Sequence, residues 1–186
     1  MRYHDRRLPH WDATEQPLFV TFRLPGSLPR SRDFPPIHLS SGQAFVAMDR
    51  ILDRTVSGPV FLQRPEIARL VLGSLRDGQI RFHRYELHAF VIMPNHVHLL
   101  ATPHVTARHW LGPLKGFTAH EANPDSGLDR PFWQAQSYDH LVVRDGPEFE
   151  RIRGYIEQNP VKAGLAASAE EYLWSSATPA QGPAAG

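Results

Sequence analysis

The stretch MPNHVHLL, residues 93–100, is the most informative part of this sequence. It begins with a Pro-Asn turn signal and continues as an apolar run that predicts a β-strand. Residues two apart on a strand face the same side, so His96 and His98 would present two imidazoles together. Two neutral imidazoles placed in this way supply half of a divalent-metal site. Two surface histidines on a half-exposed strand would give the same pattern, so the interpretation depends on a second segment.

That second segment is RIRGYIEQNPVKAGL, residues 151–165. It predicts a helix that stops at Asn159, because the residue before a proline is biased away from helical conformation. Tyr155 and Asn159 are four residues apart and would share one face of this helix. A tyrosine hydroxyl is a poor nucleophile near neutrality, since its ordinary pKa is ~10. A metal that polarises a phosphodiester would make attack by this hydroxyl feasible.

Three motifs together resemble the REP-associated tyrosine transposases, which belong to the single-tyrosine HUH family (His-hydrophobic-His). They are the MPNHVHLL strand, the stretch FWQAQSYDHLVVRD at 132–145 and the YIEQNPVKAGL helix at 155–165. The N-terminal run RRLPHWDATEQPLFVTFRLPGSLP, residues 6–29, is similar to the start of the same family. The resemblance spans roughly residues 4 to 175, with the motifs in the family's order.

The resemblance implies a metal-dependent single-strand DNA endonuclease and strand transferase. His96 and His98 match the two HUH metal ligands, Tyr155 matches the nucleophile, and Asn159 matches the amide ligand on the tyrosine helix. The expected cofactor is a divalent cation, Mg²⁺ or Mn²⁺. A ligand set of imidazole nitrogen and amide oxygen does not favour one of these two metals over the other. The expected partner is single-stranded DNA with hairpins, such as repetitive extragenic palindromes. A single nucleophilic tyrosine also means that cleavage of two ends needs either a second protomer, as in a homodimer, or sequential reaction.

Some cationic and aromatic residues are candidates for DNA contacts. The cations, which could bind phosphates, are Lys115, Arg144, Arg151, Arg153 and Lys162. Each of them could equally be a solvated surface charge. Trp133 could stack on an unpaired base, or it could pack in the core with its apolar neighbours.

Composition limits the alternatives. The chain has 186 residues, no cysteine and a net charge of +1. Disulfides and thiolate metal sites are therefore excluded, and a reducing cytoplasm is the expected location. The DNA partner that the family resemblance implies would associate the protein with the nucleoid. No apolar run approaches the ~20 residues of a membrane span, and the N-terminus lacks the apolar core of a signal peptide. The near-neutral charge by itself gives little support for nucleic-acid binding.

Periodicity and turn signals predict a single α+β domain over residues 1–176, followed by a disordered tail at 177–186. The expected architecture is an antiparallel sheet with packed helices, of the ferredoxin-like type that the family resemblance implies. The predicted strands are 18–24, 80–93, 96–100 and 137–144, with a hairpin turn at Pro94-Asn95. The predicted helices begin near Ser40 or Ser41, Pro65, Thr106 and Pro147. The second of these should stop at Asp77-Gly78, and 27–39 and 123–130 should be loops.

Two other functions are compatible with the same residues. One is a protein that binds DNA hairpins without cutting them. The other is a metal-dependent phosphodiesterase that uses water instead of Tyr155.

Overall fold

The computed structural model describes residues 14–28, 49–53, 58–126, 131–135, 138–143 and 145–179. The strands are β1 (Leu18–Arg23), β2 (Tyr85–Ile92), β3 (His96–Pro103) and β4 (Tyr138–Val142). The helices are α1 (Pro65–Ile80), α2 (Ala107–Ser126), α3 (Gly146–Glu157) and α4 (Asn159–Lys162). Residues 49–53 are also helical. Short 3-10 turns occupy Phe61–Gln63 and Ala169–Glu171.

The four strands form one antiparallel sheet in the order β2-β3-β1-β4. Chain order β1-α1-β2-β3-α2-β4 with this strand order is ferredoxin-like, as the family resemblance implies. The histidine strand β3 is central and pairs with both β2 and β1. Its register places His98 opposite Thr21 and His96 opposite Arg23.

The two faces of the sheet bury different helices. One face of the sheet carries Val97 and Leu99 of β3 with Val20 and Phe22 of β1, and α1 and α2 cover this core. The opposite face carries Leu100, with residues of α3 packed on it. Because side chains alternate along a strand, His96 and His98 share this second face with α3. The alternation therefore brings the histidine pair to the same side as the tyrosine helix.

The hairpin between β2 and β3 turns at Pro94 and Asn95, as predicted. Met93 N donates to His96 O at 2.8 Å, which closes the turn. The turn is also held from outside, because Leu24 N donates to Asn95 O and Leu62 N donates to Pro94 O. These bonds fix where β3 begins and hence where His96 lies.

The predicted end of α1 is wrong. The helix continues through Gly78 to Ile80, and β2 begins only at Tyr85. Gly78 is needed there because a Cβ at this position would collide with the Tyr85 phenol ring. The reversal comes later, where His83 adopts a φ of +48°. A glycine that permits close packing was therefore misread as a helix terminator.

The boundaries of α2 and α3 also differ from prediction. Helix α2 begins at Ala107, next to the predicted start at Thr106, but it runs on to Ser126 through the first part of the predicted 123–130 loop. Helix α3 ends at Glu157 instead of Asn159. Asn159 is the first residue of the short α4, which has Pro160 in its first turn. Proline is well tolerated in a first turn because its missing N–H needs no partner there.

Several predictions fall wholly or partly outside the described residues. They concern the loop at 29–39, the helix over 40–48, residues 127–130, Arg144 and the tail beyond 179. Of the predicted tail, residues 177–179 are described, and Thr178 donates to Tyr172 O. Across the described part of the chain, none of the helices has the length and apolar character that crossing a membrane requires.

Candidate metal and tyrosine site

The two histidines are buried and each is held at its Nδ1 atom. His96 Nδ1 lies 2.7 Å from Asn95 Oδ1, and His98 Nδ1 lies 2.7 Å from Thr21 Oγ1. Asn95 Nδ2 donates to Leu52 O at 3.0 Å, so its oxygen is the atom that faces His96. A neutral His96 must therefore donate from Nδ1 and keep the lone pair of Nε2 available. Outer hydrogen bonds of this kind orient metal-ligating histidines.

Both Nε2 atoms point at a common place. They lie 3.0 Å from each other, and Asp49 Oδ1 lies 2.8 Å from His98 Nε2 and 3.7 Å from His96 Nε2. Asp49, His96 and His98 are all buried, and this group could hold a metal ion. Imidazole nitrogen with carboxylate oxygen is a suitable ligand set for a divalent cation.

Asn159 reaches the same group from the junction of α3 and α4. Its Nδ2 donates to Asp49 Oδ2 at 3.1 Å, while its Oδ1 is buried and has no hydrogen-bond partner among the described residues. Asp53 Oδ1 is likewise buried without such a partner and lies 4.0 Å from His96 Nε2. A buried oxygen left unpaired costs about 1–3 kcal/mol. A cation in this place would satisfy these oxygens, so the residues fit a metal.

Burial and neighbouring charges perturb the site's ionisable groups. Burial, with the nearby His98, lowers the pKa of His96 to about 3, so His96 stays neutral and able to ligate near neutrality. Burial and the Asp49 carboxylate raise the pKa of Asp53 to about 7. Burial also acts to raise the pKa of Asp49, but His98, followed by His96 and Asn159, outweighs it and holds that pKa below its ordinary value.

Tyr155 packs beside the histidine pair. Its ring centroid is 6.1 Å from that of His98 and 6.3 Å from that of Phe19. Lys162 Nζ lies 4.6 Å from the centroid of the Tyr155 ring, within cation–π distance. Helix α3 is started by Asp145, whose carboxylate accepts from Glu148 N at 2.8 Å. The structure thus brings together the four residues that the two sequence motifs select.

The predicted DNA contacts have different placements. Lys162 lies at the site, whereas Lys115 donates to the backbone oxygens of Gln134 and Ala135 and so holds residues 131–135. Trp133 is only 4% exposed and donates to Thr118 Oγ1, so this tryptophan takes the core-packing alternative instead of offering a ring face to a base.

Arg151 and Arg153 are exposed residues of α3. Arg151 pairs with Glu148 at 3.3 Å, and Arg153 pairs with Glu157 at 3.5 Å. Both arginine side chains are substantially exposed and can exchange such surface pairs for phosphate at little cost. Arg144 lies outside the described residues.

Sequence reasoning missed Asp49 and Asp53. Both lie in a segment predicted to be helical, four residues apart, and this spacing puts two carboxylates on one helical face. That face was a usable signal, because the neighbouring Ile51 and Leu52 account for the apolar side of the same turn. Its partner could not be read from the sequence, since His96 is more than 40 residues away.

Fold and site together define an α+β protein with a His-hydrophobic-His pair on a central strand and a buried Asp/His/His group. The chain is similar to the solved structure of a REP-associated tyrosine transposase bound to a REP hairpin, with a TM-score of 0.60. The match covers 94% of this chain and 82% of that chain at 17% sequence identity. No protein-family model and no curated protein matches the sequence. At this identity the similarity establishes the fold, and the function must be argued from the site.

Proposed function

We propose that this chain is a DNA transposase, a metal-dependent single-strand endonuclease and strand transferase of the single-tyrosine HUH type. Its substrate would be single-stranded DNA that carries hairpins, such as repetitive extragenic palindromes. The observation that carries the proposal is the 6.1 Å approach of the Tyr155 ring to the His98 ring. Asn159, one turn further on, reaches the carboxylate that contacts His98. The proposed nucleophile and the metal-binding group therefore lie side by side on neighbouring elements.

Tyr155 is the proposed nucleophile. Its oxygen attacks a backbone phosphorus in line, and the bond from phosphorus to the 3′ oxygen breaks. The tyrosine hydroxyl loses its proton, the departing 3′ oxygen gains one, and a 5′-phosphotyrosine link remains. Because this link keeps a phosphodiester, another 3′-OH can attack it and rejoin the strand without an external energy source.

His96, His98 and Asn159 are the proposed metal ligands. Asn95 and Thr21 orient the two imidazoles so that both Nε2 atoms face inward. When bound, Mg²⁺ or Mn²⁺ would polarise a non-bridging phosphate oxygen and stabilise the charge that develops on it. Burial keeps His96 neutral, which ligation requires.

The surface beside Tyr155 offers contacts for the DNA backbone. Lys162 lies over the ring of the nucleophile, where an approaching phosphate would meet a positive charge. Arg151, one turn before Tyr155, and Arg153, on another side of α3, would supply further exposed cations. A single nucleophilic tyrosine per chain further suggests that a homodimer coordinates the cleavage of two ends.

Strand cleavage on two forms of one substrate tests this proposal. A hairpin oligonucleotide with single-stranded flanks should be cut near the hairpin foot in Mn²⁺, and the same sequence fully paired should be cut little or not at all. A bent single strand reaches the tyrosine at lower cost than a stiff duplex does. His96→Ala should lose cleavage and retain hairpin binding, while His109→Ala, an exposed histidine of α2, should behave as wild type. Equal cutting of the duplex, or full activity with chelator, would contradict the proposal.

The same reactions distinguish the two alternative functions. A hairpin-binding protein without activity would shift the oligonucleotide in a gel and leave it intact in Mn²⁺. A phosphodiesterase that uses water would release both fragments free of protein.

A further inference from the structure

The two carboxylate oxygens of Asp49 contact different elements, the histidine strand β3 and the junction of α3 and α4. Its Oδ1 lies 2.8 Å from His98 Nε2, and its Oδ2 accepts from Asn159 Nδ2 at 3.1 Å. The Asp49 side chain is 2% exposed, so water cannot easily replace either partner. Asp49 is therefore the group that connects β3 to the junction of α3 and α4.

The position of Asp49 relative to the imidazoles distinguishes a ligand from an orienting residue. A carboxylate that only orients a metal-bound histidine contacts the nitrogen that faces away from the metal. Here the outward nitrogens are already used, because Asn95 holds His96 Nδ1 and Thr21 holds His98 Nδ1. Asp49 lies instead on the Nε2 side, within reach of both inward-facing nitrogens. That is the side from which a ligand must act.

The hydrogen bond from Asn159 to Asp49 fixes the orientation of the Asn159 amide. Since Nδ2 is directed at Asp49, Oδ1 takes the remaining direction, and it is buried with no hydrogen-bond partner among the residues the structure describes. Without this hydrogen bond, the amide could rotate by half a turn and direct its nitrogen, which does not ligate cations, along the direction that Oδ1 now takes. Asp49 removes that ambiguity.

We propose that Asp49 is an anionic ligand of the metal site and also positions Asn159, so that the amide oxygen of Asn159 can ligate. This inference rests on the metal site of the proposed function and deepens it. The ligand set is then two imidazoles, one carboxylate and one amide oxygen. A negative charge among the ligands strengthens the attraction for a divalent cation, and its loss should weaken binding even when the shape of the side chain is kept.

Mn²⁺ binding to the full chain, measured by electron paramagnetic resonance without DNA, tests the proposal. Asp49→Asn, which keeps the shape and removes the charge, should weaken Mn²⁺ affinity by about 10–100-fold or more. Asp77→Asn, an exposed carboxylate of α1 that pairs with Arg81, is the matched control and should leave affinity unchanged. Asn159→Ala should also weaken binding. The Asp49→Asn/Asn159→Ala double variant should lose less Mn²⁺ binding free energy than the sum of the two single losses, because Asn159 is already misoriented without Asp49.

Wild-type affinity in a folded Asp49→Asn variant would overturn the proposal. Independent, fully additive losses from Asp49→Asn and Asn159→Ala would overturn the positioning role. If Asp49→Asn does not fold by circular dichroism, wild-type protein with ¹³C-labelled aspartate carboxyls decides the question. Its Asp49 signal should broaden at the lowest Mn²⁺ additions, and a signal that survives saturation contradicts ligation. Asp49-dependent Mn²⁺ binding in a chain that never cuts DNA would refute the proposed function and leave this inference standing.

Discussion

Replacing Asp53 by asparagine should stabilise the metal-free protein at alkaline pH and have little effect at acid pH. Burial and the adjacent Asp49 carboxylate raise the pKa of Asp53 to about 7 from an ordinary value of 3.8. Between these two values the folded state binds a proton that the unfolded state has released. Stability contributed by this group is therefore lost as pH rises through that window, and above it the folded protein holds an unfavourable charge. Asparagine has the same shape and cannot acquire that charge.

The size of the effect follows from the same shift. A change of about 3 units at ~1.4 kcal/mol per unit gives an upper bound of about 4 kcal/mol. The Asp53 side chain is 16% exposed, so solvent screens part of this energy. We therefore expect Asp53→Asn to stabilise the protein by about 1–3 kcal/mol at pH 8 and by much less near pH 4.5.

Urea unfolding in the presence of a chelator, at both pH values, measures this difference directly. Asp77→Asn is the control, because an exposed carboxylate should change stability by no more than ~0.5 kcal/mol at either pH. The reasoning is refuted if Asp53→Asn has the same effect at both pH values or destabilises the protein at pH 8.

Four further substitutions test how the structure supports the fold and the site. Thr21→Val removes the hydroxyl that holds His98 Nδ1 and should weaken Mn²⁺ affinity about 10-fold or more, measured by calorimetry; an unchanged affinity would contradict the orienting role. Gly78→Ala should destabilise the protein by about 1–3 kcal/mol in thermal unfolding, because the new Cβ would collide with Tyr85. Gly73→Ala in the same helix is the control: its Cβ meets nothing within 4 Å among the described residues, so it should stabilise the protein by about 0.5–1 kcal/mol. Asp145→Ala removes the N-cap of α3 and should cost about 1 kcal/mol in urea unfolding; no loss would mean that the cap bond to Glu148 is not significant.

The sequence predicts the centre of this fold well because its signals there are local. The Pro94-Asn95 turn and the alternation along 96–100 depend on neighbouring residues, and they correctly place His96 and His98 on one face of a central strand. The Tyr155–Asn159 spacing is similarly local. Its prediction survives the break at Gln158, because that residue keeps helical dihedral angles between α3 and α4.

The errors occur where distant contacts override local preference. Gly78 reads as a terminator, but the Tyr85 ring needs the space that a glycine leaves. Asp49 was missed because its role appears only when residues far apart in sequence meet. A single sequence does not contain that information.

Covalent capture of DNA by Tyr155 is the most direct test of the central claim. Wild-type protein is incubated in Mn²⁺ with a hairpin oligonucleotide labelled at its 3′ end, since a 5′-phosphotyrosine link retains that fragment. Denaturing electrophoresis should show a labelled protein band, and peptide mass spectrometry should locate the nucleotide on Tyr155. Tyr155→Phe should fold, bind the hairpin and form no adduct, while Tyr172→Phe, which loses only a hydrogen bond to Ile92 O, should still form it. An adduct that persists in Tyr155→Phe, or strand cleavage by wild type without any adduct, would contradict the account.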